Sequence, residues 1–287
     1  MTLIIGVLTE QYVALVSDRR TTWKVGTKIT RQEDTDTKTF NLCGEFLMGF
    51  TGLARIDALR MERWVADVLG KVPAERYFTT LTDEIQSTFD RLGVSSKQLH
   101  AFLAVGYASP ELGADIEPVC VIISNYLDSG NNLTADALGP RFRMHIEPLR
   151  NRRQLIRSAG GTIRDTTMKA LVHRIRIAAK GEPDNPLLPA GPLVMALRDA
   201  ARRSNNSVGE NVLFASLPKV AFGVTGIAVG PQVDYRRQSA ALYIPEGARP
   251  GEGTTYVPAI INPRMRLIGI KIKPGVQGKP PRKEEGY

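Results

Sequence analysis

The sequence predicts an α+β fold, and three observations carry that prediction. The apolar runs come in the order strands, two helices, strands, two helices, strands. Each helical stretch carries one apolar stripe, and the first strand stretches are apolar and β-branched. Such an order is compatible with two sheets packed together and a helical pair on each outer face, although periodicity alone leaves other α+β arrangements open.

Taken in order, Thr2 to Val7 is apolar enough for a buried strand, and Tyr12 to Val16 reads as its hairpin partner through Thr9, Glu10 and Gln11. A third strand, Lys38 to Leu42, turns at Cys43-Gly44-Glu45 into a fourth, Phe46 to Phe50, which closes on Thr51 to Asp57. Met61, Trp64, Val65 and Val68 then share one face of a helix ending at Gly70, and Leu81, Ile85, Phe89 and Leu92 line a second that closes at Gly93. Strands return at His100 to Ala108, Pro118 to Leu127, Arg141 to Ile146 and Gln154 to Ser158. Met168, Leu171, Val172 and Ile175 mark a third helix; Leu193, Ala196, Leu197, Ala200 and Ala201 mark a fourth, with Pro192 in its first turn. A strand follows at Val212 to Leu217, with further ones expected at Tyr256 to Ile261 and Met265 to Ile272. The expected organisation is a core over 1–220, an extension over 221–272 packed on it, and a flexible, basic, Pro-rich tail over 273–287.

With 287 residues, 43% hydrophobic and 23% charged, the chain reads as an ordinary globular protein able to bury a sizeable core. Cys43 and Cys120 sit in apolar strand-like contexts and read as buried thiols, which suits a reducing compartment. No stretch approaches the roughly 20 apolar residues of a membrane span, and the start lacks a secretory pattern, so a cytoplasmic location and no membrane partner are expected. A net charge of +9 raises the idea of nucleic-acid binding, but the basic residues are spread from Arg141 to Lys180 without a recognisable motif, which favours a solvated or intersubunit face. His100, His145 and His173 are too scattered for a metal site, so no metal is expected.

The chemistry concentrates at the start. If Met1 is removed, Thr2 carries both a hydroxyl and a free α-amine, one of the known ways of activating a hydroxyl nucleophile. The second strand ends in Ser17-Asp18-Arg19-Arg20, placing a carboxylate and two guanidiniums at a strand end.

Asp18 and Arg20 follow Thr2 by sixteen and eighteen residues, and Lys38 precedes Gly52 by fourteen. In this the chain resembles proteasome β subunits and their bacterial relatives, the threonine-type N-terminal nucleophile hydrolases. The interval from Thr2 to Lys38, thirty-six residues, is about four longer than that family's pattern, with the excess expected in a loop from Arg31 to Asp36 and Lys28 a weaker rival for the lysine. The resemblance implies a four-layer αββα sandwich, with Thr2 as nucleophile, Lys38 lowering the pKa of its amine and hydroxyl, Asp18 holding Lys38, and the Gly52 N–H receiving the oxyanion. Arg20 is expected to brace Asp18. Ser158, in Ser158-Ala159-Gly160-Gly161, and Ser207 are the matches for two supporting serines. Ser204 stands where the family carries an acid that positions the terminal amine, and Val208 displaces a glycine, a departure that implies a weakened or differently tuned enzyme.

The resulting expectation is a peptidase that needs no cofactor and acts on peptide or amide substrates as a homo-oligomer, with a ring as one such arrangement; an ATPase partner stays open. A catalytically silent scaffold on the same fold, or a small-molecule amidase or acyltransferase, is the alternative.

Overall fold

A computed structural model describes residues 2–25, 28–34, 36–42, 45–70, 72–108, 116–161, 163–181, 187, 189–204, 208–218, 240–249, 254–255, 259–262 and 265–268. The first half runs β1 (Leu3–Thr9), β2 (Tyr12–Asp18), β3 (Thr21–Val25), β4 (Lys28–Glu33), β5 (Thr39–Leu42), β6 (Phe46–Thr51), the short pair β7 (Arg55–Ile56) and β8 (Leu59–Arg60), α1 (Met61–Leu69) and α2 (Tyr77–Leu92). The second half runs β9 (Ala101–Ala108), β10 (Glu117–Ser124), β11 (Arg143–Pro148), β12 (Gln154–Gly160), α3 (Asp165–Gly181), α4 (Ala190–Arg203), β13 (Val212–Pro218), β14 (Ala240–Ile244), β15 (Thr254–Thr255), β16 (Ala259–Asn262) and β17 (Met265–Ile268).

Most of these strands form two large, mainly antiparallel sheets, ordered β12-β1-β2-β13-β14-β15 and β11-β10-β9-β6-β5-β16-β17, with β3-β4 and β7-β8 as separate pairs, so the fold is α+β. Strand alternation explains why β1 and β2 read as unbroken apolar runs. Ile4, Leu8, Val13 and Leu15 pack against Leu47, Leu103, Val105 and Ile122 of the second sheet. The alternate residues Leu3, Ile5, Val7, Ala14 and Val16 pack against Leu171, Ile175, Leu193 and Leu197 of α3 and α4. A strand buried on both faces has no polar side to show.

The second sheet turns Phe40, Met48, Phe102 and Val121 towards Met61, Val65, Leu81, Ile85 and Phe89 of α1 and α2. In α1 it is Leu69 that becomes fully buried, while Val68, expected on that face, is half-buried. Gly93 ends α2 with φ +65°, the left-handed conformation for which glycine carries no Cβ penalty.

Three features depart from the expected layout. The stretch after Asp18, to which no strand was assigned, forms the β3-β4 hairpin, and the expected Arg31–Asp36 loop is strand as far as Glu33. β14, not expected, pairs with β13 and widens the first sheet. β16 joins β5 in parallel, as the second sheet's connection to the later part of the chain. Residues 219–239 and 269–287, which include the expected tail, lie outside the described residues. No helix among the described residues is long and apolar enough to cross a membrane. Cys120 is buried, which pushes its thiol up to about 12, and Cys43 lies outside the described residues.

Candidate functional site

β1 begins directly after Thr2, and the antiparallel register Ile4↔Ser17 brings the end of β2 back to the start of the chain. Asp18, fully buried, therefore sits where its carboxylate meets four donors. Its Oδ1 accepts from the Leu3 N–H at 3.0 Å. Its Oδ2 accepts from the Arg20 N–H at 3.0 Å, the Gly209 N–H at 3.1 Å and Lys38 Nζ at 3.4 Å. Backbone donors converging on an ionised carboxylate offset much of the cost of burying it.

Lys38 comes from the other sheet. Ser17 Oγ and Thr39 Oγ1 share a hydrogen bond of 2.8 Å between β2 and β5, which seats the residue before Thr39 next to Asp18. With 1% of its surface exposed, Lys38 donates to Thr2 Oγ1 at 2.7 Å, to Asp18 Oδ2, and to the Arg20 carbonyl. Three acceptors match the three protons of an ammonium. Burial lowers the Lys38 pKa from its ordinary value, and the neighbouring Asp18 charge opposes that fall.

Thr2 itself is 6% exposed. Its carbonyl is fixed by the Gly161 N–H at 3.1 Å and by Thr51 Oγ1 at 3.3 Å. Gly160, φ +92°, lies so close that a Cβ there would run into the Thr2 carbonyl. Its sequence neighbour Ser158, expected to support the site, is paired with Ile5 along β12, and it is Gly160 that lines the cavity.

That cavity, of about 610 Å³, is lined by Thr2, Lys38, Thr51, Gly52, Leu99 and Gly160 among others. Gly52 has φ +104°, and a Cβ on it would come within 2.6 Å of His100 Nδ1. The next residue, Leu53, donates its N–H to the same His100 Nδ1 at 3.2 Å. His100 is fully buried, and desolvation pushes it down to about 3, so it is neutral and an acceptor for this turn.

Of the residues expected from sequence, Thr2, Asp18 and Lys38 are brought into contact, and Gly52 lines the same cavity. Arg20 gives Asp18 its backbone N–H, while its guanidinium makes a bidentate pair with Asp34, Nε to Oδ1 and Nη2 to Oδ2 at 2.8 Å each. That pairing holds the Asp34 carboxyl below its usual range. Ser204 acts locally, accepting the Val208 N–H at 2.9 Å and donating to the Ala201 carbonyl at 2.8 Å. Ser207 lies outside the described residues, as does the side chain of Lys28.

Sequence reasoning missed Thr51, His100, Asp34 and Gly209. Gly209 had a signal, since it directly follows Val208, which stands in place of the expected glycine. A second hollow, of about 480 Å³ between α3 and α4, contains Arg174, Arg198 and Met195 and lies away from Thr2.

No family model matches the chain, and no curated protein matches it. Among solved structures it is similar to an Anbu (Gly-1) mutant from Hyphomicrobium sp. strain MC1, with 14% identity over 75% of this chain and 80% of that one and a TM-score of 0.44. It is similar also to Anbu (ancestral beta-subunit) from Yersinia bercovieri, with 16% identity over 76% and 82% and a TM-score of 0.45. The expected assignment to the proteasome β-subunit branch is thereby corrected: these neighbours belong to a distinct family, and at such identity and TM-score the likeness assigns the chain to neither.

Proposed function

We propose that the chain is a threonine-type N-terminal nucleophile amidohydrolase, cleaving peptide bonds through an acyl-enzyme once Met1 is removed. The observation that carries this reading is the 2.7 Å contact of the buried Lys38 Nζ with Thr2 Oγ1. An ammonium with 1% exposure beside a hydroxyl is costly unless its charge is used or paired, and here Asp18 pairs it.

Removal of Met1 gives Thr2 an α-amine whose ordinary pKa, about 7.7 to 8.0, leaves part of it neutral at pH 7. That amine takes the Oγ proton while Oγ bonds to the carbonyl carbon. Lys38 favours the step by donating to the oxygen as negative charge grows on it. The Gly52 N–H is assigned to the tetrahedral oxyanion, a kind of donor whose loss costs about 2.7 to 4 kcal/mol in comparable sites. Collapse breaks the C–N bond and the leaving amine takes the proton. Water, deprotonated by the freed α-amine, then hydrolyses the ester.

The wider reading goes with it. The three apolar clusters, one between the sheets and one under each helical pair, support a four-layer αββα arrangement. We assign 1–220 to the core, 221–272 to an extension and 273–287 to a tail, and infer a cytoplasmic homo-oligomer, which sedimentation of the purified chain tests.

The test of the nucleophile is the intact mass of the protein before and after an electrophile that bonds both the hydroxyl and the amine of an N-terminal Thr. Loss of Met1 with a single adduct, absent in Thr2→Ala, is the expected result. Retained Met1 in protein from its native cell, with no adduct, overturns it and leaves a silent scaffold. Turnover of simple amides with peptides spared would move the activity to small molecules.

A further inference from the structure

The cavity walls carry charge of one sign. Arg20, Lys38, Arg55 and Lys97 all line it, and among the described lining residues there is no Asp or Glu. Two of these cations are answered from behind the wall, Lys38 by Asp18 and Arg20 by Asp34. The other two are exposed, and among the described residues neither forms an ion pair. The carboxylate whose field includes Arg55 is Glu62, which Arg60 approaches to 4.0 Å. Asp36, also near, accepts from Thr21 Oγ1 and faces Arg60. Between the cations the wall is apolar: Phe50, Leu53, Ala54 and Leu99.

We propose that the cavity selects a substrate whose residue on the acyl side of the scissile amide bears a carboxylate on an aliphatic stem, as glutamate does. This rests on the amidohydrolase reading for the bond that is cut, but the recognition itself needs no chemistry. The stem lies on the apolar wall, and the carboxylate meets Arg55 and Lys97 at the rim. A cationic side chain finds no carboxylate among the described lining residues to pair with, so it is rejected as well as unrewarded.

The test uses the full chain carrying Thr2→Ala, with two fluorescent peptides that differ only in Glu against Gln at that residue, read by polarisation. The Glu peptide is expected to bind about tenfold tighter at low ionic strength, with the advantage shrinking as salt screens the exposed rim charges. An Arg55→Gln, Lys97→Gln double variant, both residues being exposed and unpaired among the described residues, removes the advantage while leaving Gln-peptide affinity in place. Equal binding of the two peptides, no measurable binding of either, or a Glu advantage that survives in the double variant overturns the proposal. Selective binding by Thr2→Ala alongside an unreactive native chain would sink the hydrolase reading and leave the selectivity standing.

Discussion

His100 is as deeply buried as Asp18 and Lys38, yet the two places solve burial differently. At Thr2 the chain keeps a carboxylate and an ammonium, and surrounds the carboxylate with backbone N–H groups from Leu3, Arg20 and Gly209. At His100 it keeps no charge at all. Nδ1 accepts from Leu53, which leaves the proton on Nε2, and Nε2 has no hydrogen-bond partner among the described residues. The ring lies among Phe89, Phe102 and Phe142. Its backbone is tied to the end of β10, the N–H donating to Asn125 Oδ1 just past the strand at 2.9 Å and the carbonyl accepting from Ser124 Oγ at 3.1 Å. A neutral imidazole can hold a turn without altering the field in the cavity, whereas a buried ion pair fixes both geometry and field. The first group keeps charge in the cavity wall, and the second holds a turn without it.

Removing charge at the first place is expected to cost most. Asp18→Asn leaves the Lys38 ammonium without its counter-ion, and a loss of about 3 to 5 kcal/mol is expected, read as a lower urea midpoint at unchanged slope. A loss below 1 kcal/mol, on the order of a surface pair, would mean that Lys38 is neutral in the folded chain. Next comes Gly52→Ala, whose Cβ has both the wrong φ and no room beside Leu99 and His100; about 2 to 3 kcal/mol is expected, with turnover falling further than stability accounts for.

The His100 ring gives a pH signature with a definite sign. Its folded pKa, about 3, lies below the ordinary 6.5, so the unfolded chain binds more protons between these values. The stabilisation is complete above pH 6.5 and is lost as pH falls towards 3, with about 2 kcal/mol gone at pH 5. His100→Gln keeps an acceptor for Leu53 and does not titrate, so its stability should be flatter over that range in parallel urea titrations. The smallest change expected is Arg20→Ala, about 1 to 2 kcal/mol, because the pair with Asp34 is only partly buried and the Arg20 N–H to Asp18 survives the substitution.

Much of this was legible in the sequence, for reasons particular to each part. β1 and β2 could be read because burial on both faces leaves an uninterrupted apolar run, and α1 and α2 because burial on one face leaves a stripe. The contact of Thr2, Asp18 and Lys38 followed from spacing together with the resemblance, even though the family assignment itself did not hold. The β3-β4 hairpin escaped because Thr21–Val25 and Lys28–Glu33 are too polar to signal a core strand; the Gly26 between them was the available hint. Gly209 and His100 escaped for another reason. One acts through a backbone N–H on a residue 191 positions away, the other through a ring nitrogen 47 positions from its donor, and neither leaves a local pattern.

The parallel pairing of β16 with β5 has a bearing on how the protein is made. A ribosome releases Lys38 and its strand early, but the strand that covers the free edge of β5 emerges only with Ala259–Asn262. Until then a nascent chain presents an open strand edge, a template for joining the wrong neighbour. The carboxylate at Asp18 likewise waits for Gly209 to complete its donors. The Thr2–Asp18–Lys38 cluster is therefore completed late in synthesis, and a chain released before Gly209 would carry Asp18 without its full set of donors.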